Sequence, residues 1–307
     1  MHDLASRFRG ALLGGAVGDA LGRPVEGWPR AAIRARYGVL RDFQPPGGRY
    51  TDDTQLTICV AESLLAGDGT LDPADLARRF VAMSESPRGW GMATTAAVGR
   101  LAAGVPWQSA GEHSAGNGAA MRVAPVGLAH IDDVGALRRN AALSATLTHT
   151  DPRAVASAVA QAALAAWCAR RPPGPLVPAE AVDAVAATLA PVAGSASLVE
   201  RLGAVLPLLG TEPGPALAAL GTSGFVLETL PAAVWCFLRS PDDAEEVIVT
   251  AANAGGDTDT LAAMAGTLAG AHVGDAALPE RWLEGLEDRD RLMDLADRLY
   301  GLVAGRA

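Results

Sequence analysis

The sequence predicts an all-α fold. Apolar residues recur at three- and four-residue spacing along most of the chain. β-branched residues are not gathered into alternating runs, so no strand ladder is expected. Alanine is abundant, and aromatics make up only 5% of the residues. With 307 residues, 50% of them hydrophobic, the chain can bury one large core or two modest ones.

The first helix carries two stripes. Leu4, Phe8, Leu12, Ala16 and Ala20 form one; Gly14, Gly18 and Gly22 form another at four-residue spacing, with Asp19 among them. The glycine stripe marks close packing beneath a site. The helix stops near Gly22, with Pro24 following, and residues 38–50, rich in Pro and Gly, read as a long ordered loop. Further helices are expected at about 53–66, 73–83, 93–103, 134–144 and 152–170. Asp151-Pro152 is a start signal, an N-cap followed by proline at the first helical position. Arg171-Pro172-Pro173-Gly174-Pro175 is a clear break. Beyond it, helices are expected at about 178–189, 197–206, 225–237, 242–252, 258–273 and 289–302. The last shows a stripe of Leu292, Leu295, Ala296, Leu299 and Val303.

Composition narrows the function classes. Net charge is −9, the chain holds no lysine, and its arginines are scattered, so no basic nucleic-acid-binding surface is expected. Cys59, Cys168 and Cys236 lie in apolar helical patterns without CxxC spacing; they read as buried free thiols in a reducing, cytoplasmic setting. No signal peptide is expected, because Asp19 and several glycines interrupt the apolar N-terminal stretch. The run 154–169 is short and contains Ser157 and Gln161, which suits a buried helix better than a membrane span.

Two acidic clusters lie about two hundred residues apart, Thr51-Asp52-Asp53-Thr54 after Tyr50, and Asp257-Thr258-Asp259-Thr260 after Gly256. Their donors are all oxygens, a set that selects hard cations such as Mg²⁺, Mn²⁺ or Ca²⁺. Adjacent carboxylates repel unless a cation or proton sits between them. A plainer reading is that Thr51 and Asp257 cap their helices, with acids in the first turn complementing the dipole. Capping and cation binding are compatible. The doubling of the motif, and the neighbouring Gly255-Gly256 that lets backbone approach a ligand, favour a shared site around two metal ions. A shared site makes residues 1–307 one domain, since the clusters flank the proline break.

Gly116-Asn117-Gly118, opening an apolar helix, can form a nest of N–H groups for phosphate, or a plain turn and cap. Arg122 is left with two roles, phosphate contact or structural ion pair. His149 stands just before a helix start, and Glu26 in the turn after the glycine-faced helix; each alone reads as an ordinary solvated or cap-adjacent residue. There is no serine nucleophile elbow, HExxH or Walker lysine, and nothing supports a cysteine nucleophile.

Taken in order, residues 14–22, 50–54, 116–122, 148–150 and 255–260 resemble the ADP-ribosylglycohydrolase family, including the dinitrogenase-reductase-activating glycohydrolases. The resemblance covers about residues 9–274. It implies a compact orthogonal helical bundle with a central dinuclear Mg²⁺ or Mn²⁺ site. By motif match, Thr51, Asp52, Asp53, Asp257, Asp259 and Thr260 are the metal ligands. Ser114, Gly116, Asn117 and Gly118 match the diphosphate loop, His149 the histidine near the phosphates, and Glu26 the acid that approaches the ribose and one metal. The implied reaction is metal-dependent hydrolysis of the glycosidic bond between ADP-ribose and an acceptor, on an ADP-ribosylated protein or small molecule. Glu26 is the expected acid–base group, with Asp52 or Asp259 sharing that role. Rival readings are an ADP-ribose-binding module without turnover, a structural protein that retains the fold, and a hydrolase of another nucleotide–ribose conjugate. One departure stands out: Arg88-Gly89-Trp90-Gly91 carries no acid where arginine-specific relatives often have Asp, which argues against arginine-linked ADP-ribose.

Overall fold

The computed structural model describes residues 4–45, 47–172 and 174–305. Regular structure among them is helical. The helices are α1 (Leu4–Gly22), α2 (Arg30–Tyr37), α3 (Asp52–Ala66), α4 (Pro73–Met83), α5 (Met92–Ala102), α6 (Trp107–Ala110), α7 (Ala124–Ala129), α8 (Val134–Thr146) and α9 (Pro152–Arg170). Then come α10 (Pro178–Leu189), α11 (Ser195–Gly203), α12 (Pro213–Leu220), α13 (Val226–Arg239), α14 (Ala244–Ala252), α15 (Thr258–Val273), α16 (Glu280–Gly285) and α17 (Arg289–Ala304). Extended pairing among the described residues is limited to isolated bridges, Gly48 with Leu286, Glu112 with His149, and Gly116 with Phe225.

The helices α4, α9, α10 and α15 coincide with the expected spans, and the other expected helices differ by one to three residues at their ends. Four were not foreseen, α2, α6, α12 and α16, each of eight residues or fewer, and α7 begins later than the helix expected to open after Gly118. About two turns cannot display a periodic stripe; α2 buries only Ile33. Pro173 of the proline break lies outside the described residues.

The fold is organised around two helices from opposite ends of the chain. The helix α1 runs along α15 at backbone contact. A Cβ on Gly14 would collide with the carbonyl oxygen of Gly266, and one on Gly266 with that of Gly14; Gly10 and Gly270 stand in the same mutual relation. Glycine is required there by space, and the close approach lets Cα–H groups meet carbonyl oxygens across the interface. Around this pair pack α14, α13 and α9 against α15, and α17 against α1. Residues 258–272 of α15 are buried throughout. The alanine-rich α9, from before the proline break, lies against α1 and α15, while α10 and α11, from after it, lie on α9. No helix among the described residues is long and apolar enough to cross a membrane.

The 38–50 loop is ordered by specific anchors. Asn253 accepts from the Leu40 N–H and donates to its carbonyl, both at 2.9 Å. The Trp282 indole donates to Arg41 O at 2.9 Å. The loop then delivers the chain to α3 at the first acidic cluster. All three cysteines are buried and free. Burial pushes the Cys59 and Cys236 thiols up to about 12, so neither offers a thiolate.

Candidate active site

The N-terminal ends of α3 and α15 meet at the base of a cleft of about 580 Å³. Neither Thr51 nor Asp257 caps its own helix with its side chain. Capping of α3 is done from α1 instead: Asp19, fully buried, accepts from Thr51 N (2.8 and 3.0 Å), Thr54 N (3.0 Å) and Thr54 Oγ1 (2.7 Å). This leaves the cluster side chains for other work. Asp53 Oδ2 takes the hydroxyls of Thr51 and Thr260, each at 3.3 Å, and so joins one cluster to the other.

Glu26 reaches the same place through backbone pairing. Gly27 N donates to Gly256 O (2.7 Å) and Gly256 N to Trp28 O (3.0 Å). Ligand oxygens of Glu26, Asp257 and Asp259 consequently lie within 4.8 Å of one another, with Glu26 exposed at the mouth and Asp259 buried. The paired glycines serve this contact. Gly255 and Gly256 both have positive φ, and a Cβ on either would strike backbone, of Arg30 or of Thr222. They approach protein, and neither lines the cleft.

Burial and crowding raise the pKa values of Asp52, Asp53 and Asp259 at the base. Burial, then the charge of Asp19, pushes Asp52 up to about 8. Asp53 and Asp259 are raised well above the usual range, first by burial and then by neighbouring carboxylates. Glu26 is raised by partial burial and by Asp257 and Asp19, although water at the mouth screens part of that effect. The Oδ1 atoms of Asp53 and Asp259 are buried without any hydrogen-bond partner. An unpartnered buried carboxylate oxygen is costly, and a cation is the partner that suits an all-oxygen set. The residues present therefore fit divalent cations.

The opposite wall holds Ser114, Gly116, Asn117, Gly118 and His149, all of which line the cleft. The expected helix opening at Gly118 does not form there; a 3-10 turn spans Asn117–Ala119, and α7 begins only at Ala124. Two of the loop's N–H groups are committed, Gly116 N to Ser114 Oγ (3.2 Å) and Asn117 N to Gly224 O (3.1 Å), which thins the expected nest. The Asn117 amide turns to the floor, donating to Asp257 Oδ2 (2.7 Å) and Thr229 Oγ1 (3.1 Å). Arg122 fills neither role considered for it. It is fully buried, stacks on Phe80 (4.8 Å to the ring centroid), and donates to Gly118 O, Ser144 O and Thr148 Oγ1.

Of the residues singled out from sequence, Glu26, Asp52, Ser114, Gly116, Asn117, Gly118, His149, Asp257, Asp259 and Thr260 line one cleft. Thr51 and Asp53 lie just behind it, 3% and 2% exposed. Sequence reasoning missed three residues. Asp19 was read only as an interruption of the apolar N-terminal stretch and as one residue of the 14–22 segment; a carboxylate on a helix that otherwise packs backbone to backbone is the signal that marks it. Thr94, in the first turn of α5, lines the cleft beside Gly118, and no pattern flagged it. Glu112 lines the cleft and pairs with Arg100 at 2.6 Å.

The sequence profile of the ADP-ribosylglycohydrolase family matches residues 1–307. The chain is 31% identical to ADP-ribosylhydrolase ARH3 of Gallus gallus, over 97% of this chain and 93% of that protein. It is 30% identical to ADP-ribosylarginine hydrolase Tri1 of Pseudomonas putida, over 96% of this chain and 78% of that protein. A solved structure described as an ADP-ribosylglycohydrolase-related protein complex superposes with a TM-score of 0.75 at 34% identity, covering 98% of this chain and 99% of that one. The chain belongs to the ADP-ribosylglycohydrolase family.

Proposed function

We propose that this member of the family hydrolyses ADP-ribose conjugates, cleaving the glycosidic bond between ADP-ribose and an acceptor. The observation that carries the reading is the facing of an acidic floor and a glycine–histidine wall across one cleft. The floor suits a sugar and a cation, the wall a diphosphate.

Thr51, Asp52, Asp53, Asp257, Asp259 and Thr260 would hold two divalent cations, Mg²⁺ or Mn²⁺. Bound there, such cations would supply positive charge against the crowded carboxylates and Lewis acidity toward ligand oxygens. The chain's own residues do the rest. Glu26, at the mouth beside Asp257 and Asp259, guides the proton of the attacking water; a carboxyl raised by its surroundings is suited to that exchange near neutrality. Asp52 and Asp259 share the charge of the floor. Asn117 holds Asp257 in place from the wall side. Ser114, Gly116, Gly118 and His149 bind the diphosphate and so position C1″ of the ribose over the floor, remote binding that lowers the barrier at the reacting carbon. Residues 1–307 act as one unit, because the floor is assembled from both sides of the proline break.

On this reading the 89–92 edge of the cleft, where the acceptor would lie, carries no charged side chain of its own. Gly89, Gly91 and Met92 line that edge, and Met92 is 91% exposed. Arg88 turns away, paired with Glu287 at 2.6 and 3.0 Å and stacked over Tyr50. A guanidinium acceptor finds no counter-charge on the 88–91 loop, so linkages other than arginine are favoured.

The test is release of ADP-ribose from a panel of defined linkages, arginine, serine, nucleic-acid end and small metabolite, with and without divalent cation. Release in the presence of Mg²⁺ or Mn²⁺ supports the reading. Tight ADP-ribose binding with no release from any linkage would assign the chain to binding without turnover.

A further inference from the structure

His149 is 3% exposed and lines the cleft. Its Nδ1 lies 2.8 Å from Thr148 Oγ1. That hydroxyl also lies 2.7 Å from Arg122 Nη2, and a guanidinium can only donate. Thr148 Oγ1 therefore accepts from Arg122, and its single proton has two acceptors in reach, His149 Nδ1 at 2.8 Å and the Ala145 carbonyl at 3.5 Å, of which Nδ1 is the nearer. With that proton given to Nδ1, the neutral ring carries its own on Nε2. The Nε2 edge faces the glycine loop: a Cβ at Gly116 or at Gly118 would sit 3.3 Å from Nε2. No protein group among the described residues bonds Nε2. The same Arg122 donates to Gly118 O at 3.0 Å, so one buried cation sets both the loop and the ring.

We infer that Arg122 and Thr148 are positioning residues that lock His149 as the Nε2–H tautomer, a neutral single donor aimed at an acceptor oxygen of the ligand seated on Gly116–Gly118. This rests on the proposed ADP-ribose reading for the ligand and on hydrogen-bond direction alone for the tautomer. Thr94 Oγ1, 3.3 Å from the same Cβ position at Gly118, supplies a hydroxyl to the same spot. The role excludes His149 as a general base, because Nδ1 is occupied and Nε2 already holds its proton. Burial and the charge of Arg122 both oppose imidazolium, and hold His149 down to about 3.

The relay is tested without turnover. Proton–nitrogen correlation NMR on histidine-labelled protein, with His149 assigned by its loss in His149→Gln, reports the tautomer. The expected result is Nε2–H in the unliganded protein, unchanged between about pH 5 and 8, where an ordinary histidine titrates. Thr148→Val should lose that single tautomer, and ADP-ribose affinity by calorimetry should fall about tenfold, the order of one hydrogen bond to a charged group. Thr148→Ser should restore both. In a defined linkage assay, the loss should fall on KM more than on kcat. An Nδ1–H ring in the wild type, or an unaltered tautomer and affinity in Thr148→Val, overturns the relay. Absence of ADP-ribose binding by the wild type, with the Nε2–H tautomer in place, would remove the ligand reading and the aim of the donor, and leave the lock itself standing.

Discussion

The floor and the wall of the cleft are built on opposite principles. The floor gathers Glu26, Asp52, Asp257 and Asp259 without a facing cation side chain, and leaves Asp53 Oδ1 and Asp259 Oδ1 buried and unpartnered. The wall keeps its one cation, Arg122, fully buried and hydrogen-bonded to three oxygens. On the proposed reading the floor is completed by an added positive charge, whereas the wall is already hydrogen-bonded by the chain itself. Changes to the floor should therefore act through cation binding and rate, and changes to the wall through affinity.

The largest effect belongs to the floor. Asp52→Asn and Asp257→Asn should each lower the rate by about 10⁴-fold or more, and the double variant should be little worse than either, as expected for members of one centre. Steady-state rates of the three variants check this. Multiplicative losses would mean two separate sites and would dissolve the floor as a unit.

Next comes Glu26→Gln, whose amide is nearly isosteric. Turnover should fall by roughly 10²–10⁴-fold, the usual share of general acid–base catalysis, with cation and ADP-ribose affinities kept. If added Mg²⁺ rescues part of the loss, Glu26 is a cation ligand rather than a proton guide.

On the wall, Gly118→Ala puts a Cβ 2.8 Å from His149 Cε1 and must displace the ring. ADP-ribose affinity should drop about tenfold, while cation affinity stays unchanged. Loss of cation affinity in this variant would erase the distinction between the two sides.

The smallest effect is on stability. Asp52 has its folded pKa raised to about 8, against an unfolded value of about 3.9. Its contribution is fully present below the unfolded value and is lost as pH rises through the folded one; Asp53 and Asp259 are shifted in the same direction. Metal-stripped protein should thus melt a few degrees higher at about pH 5.5 than at about pH 8.5, and saturating Mg²⁺ or Mn²⁺ should flatten that slope. Asp151, lowered to about 2 by Arg153, acts with opposite sign only at far lower pH. A metal-stripped protein that loses stability over the same acidification contradicts the crowded floor.

Long helices were legible in the sequence because a buried stripe repeats over several turns, as in α9 and α15. Short ones such as α6 and α12 had no room to repeat. The two acidic clusters were legible by their doubling, but sequence left capping and cation binding open. What separates them is long-range: Asp19, on α1, takes over the capping of α3. Gly255 and Gly256 were read as points where backbone approaches a ligand; the structure brings the 26–30 turn and Thr222 against them. Arg122 could not be assigned from its neighbours, since its partners Ser144 and Thr148 come from beyond α7. Thr94 carries no local mark at all; only the packing of α5 over the glycine loop brings it into the cleft.

The central claim is that both acidic clusters hold cations as one centre. It is tested most directly by calorimetric titration of Mn²⁺ into metal-stripped wild type, Asp52→Asn and Asp259→Asn, each checked for an intact fold. The account predicts binding to the wild type that weakens by at least about tenfold in both variants, one from each cluster. Unchanged binding in either variant, or no binding to the wild type, would contradict it.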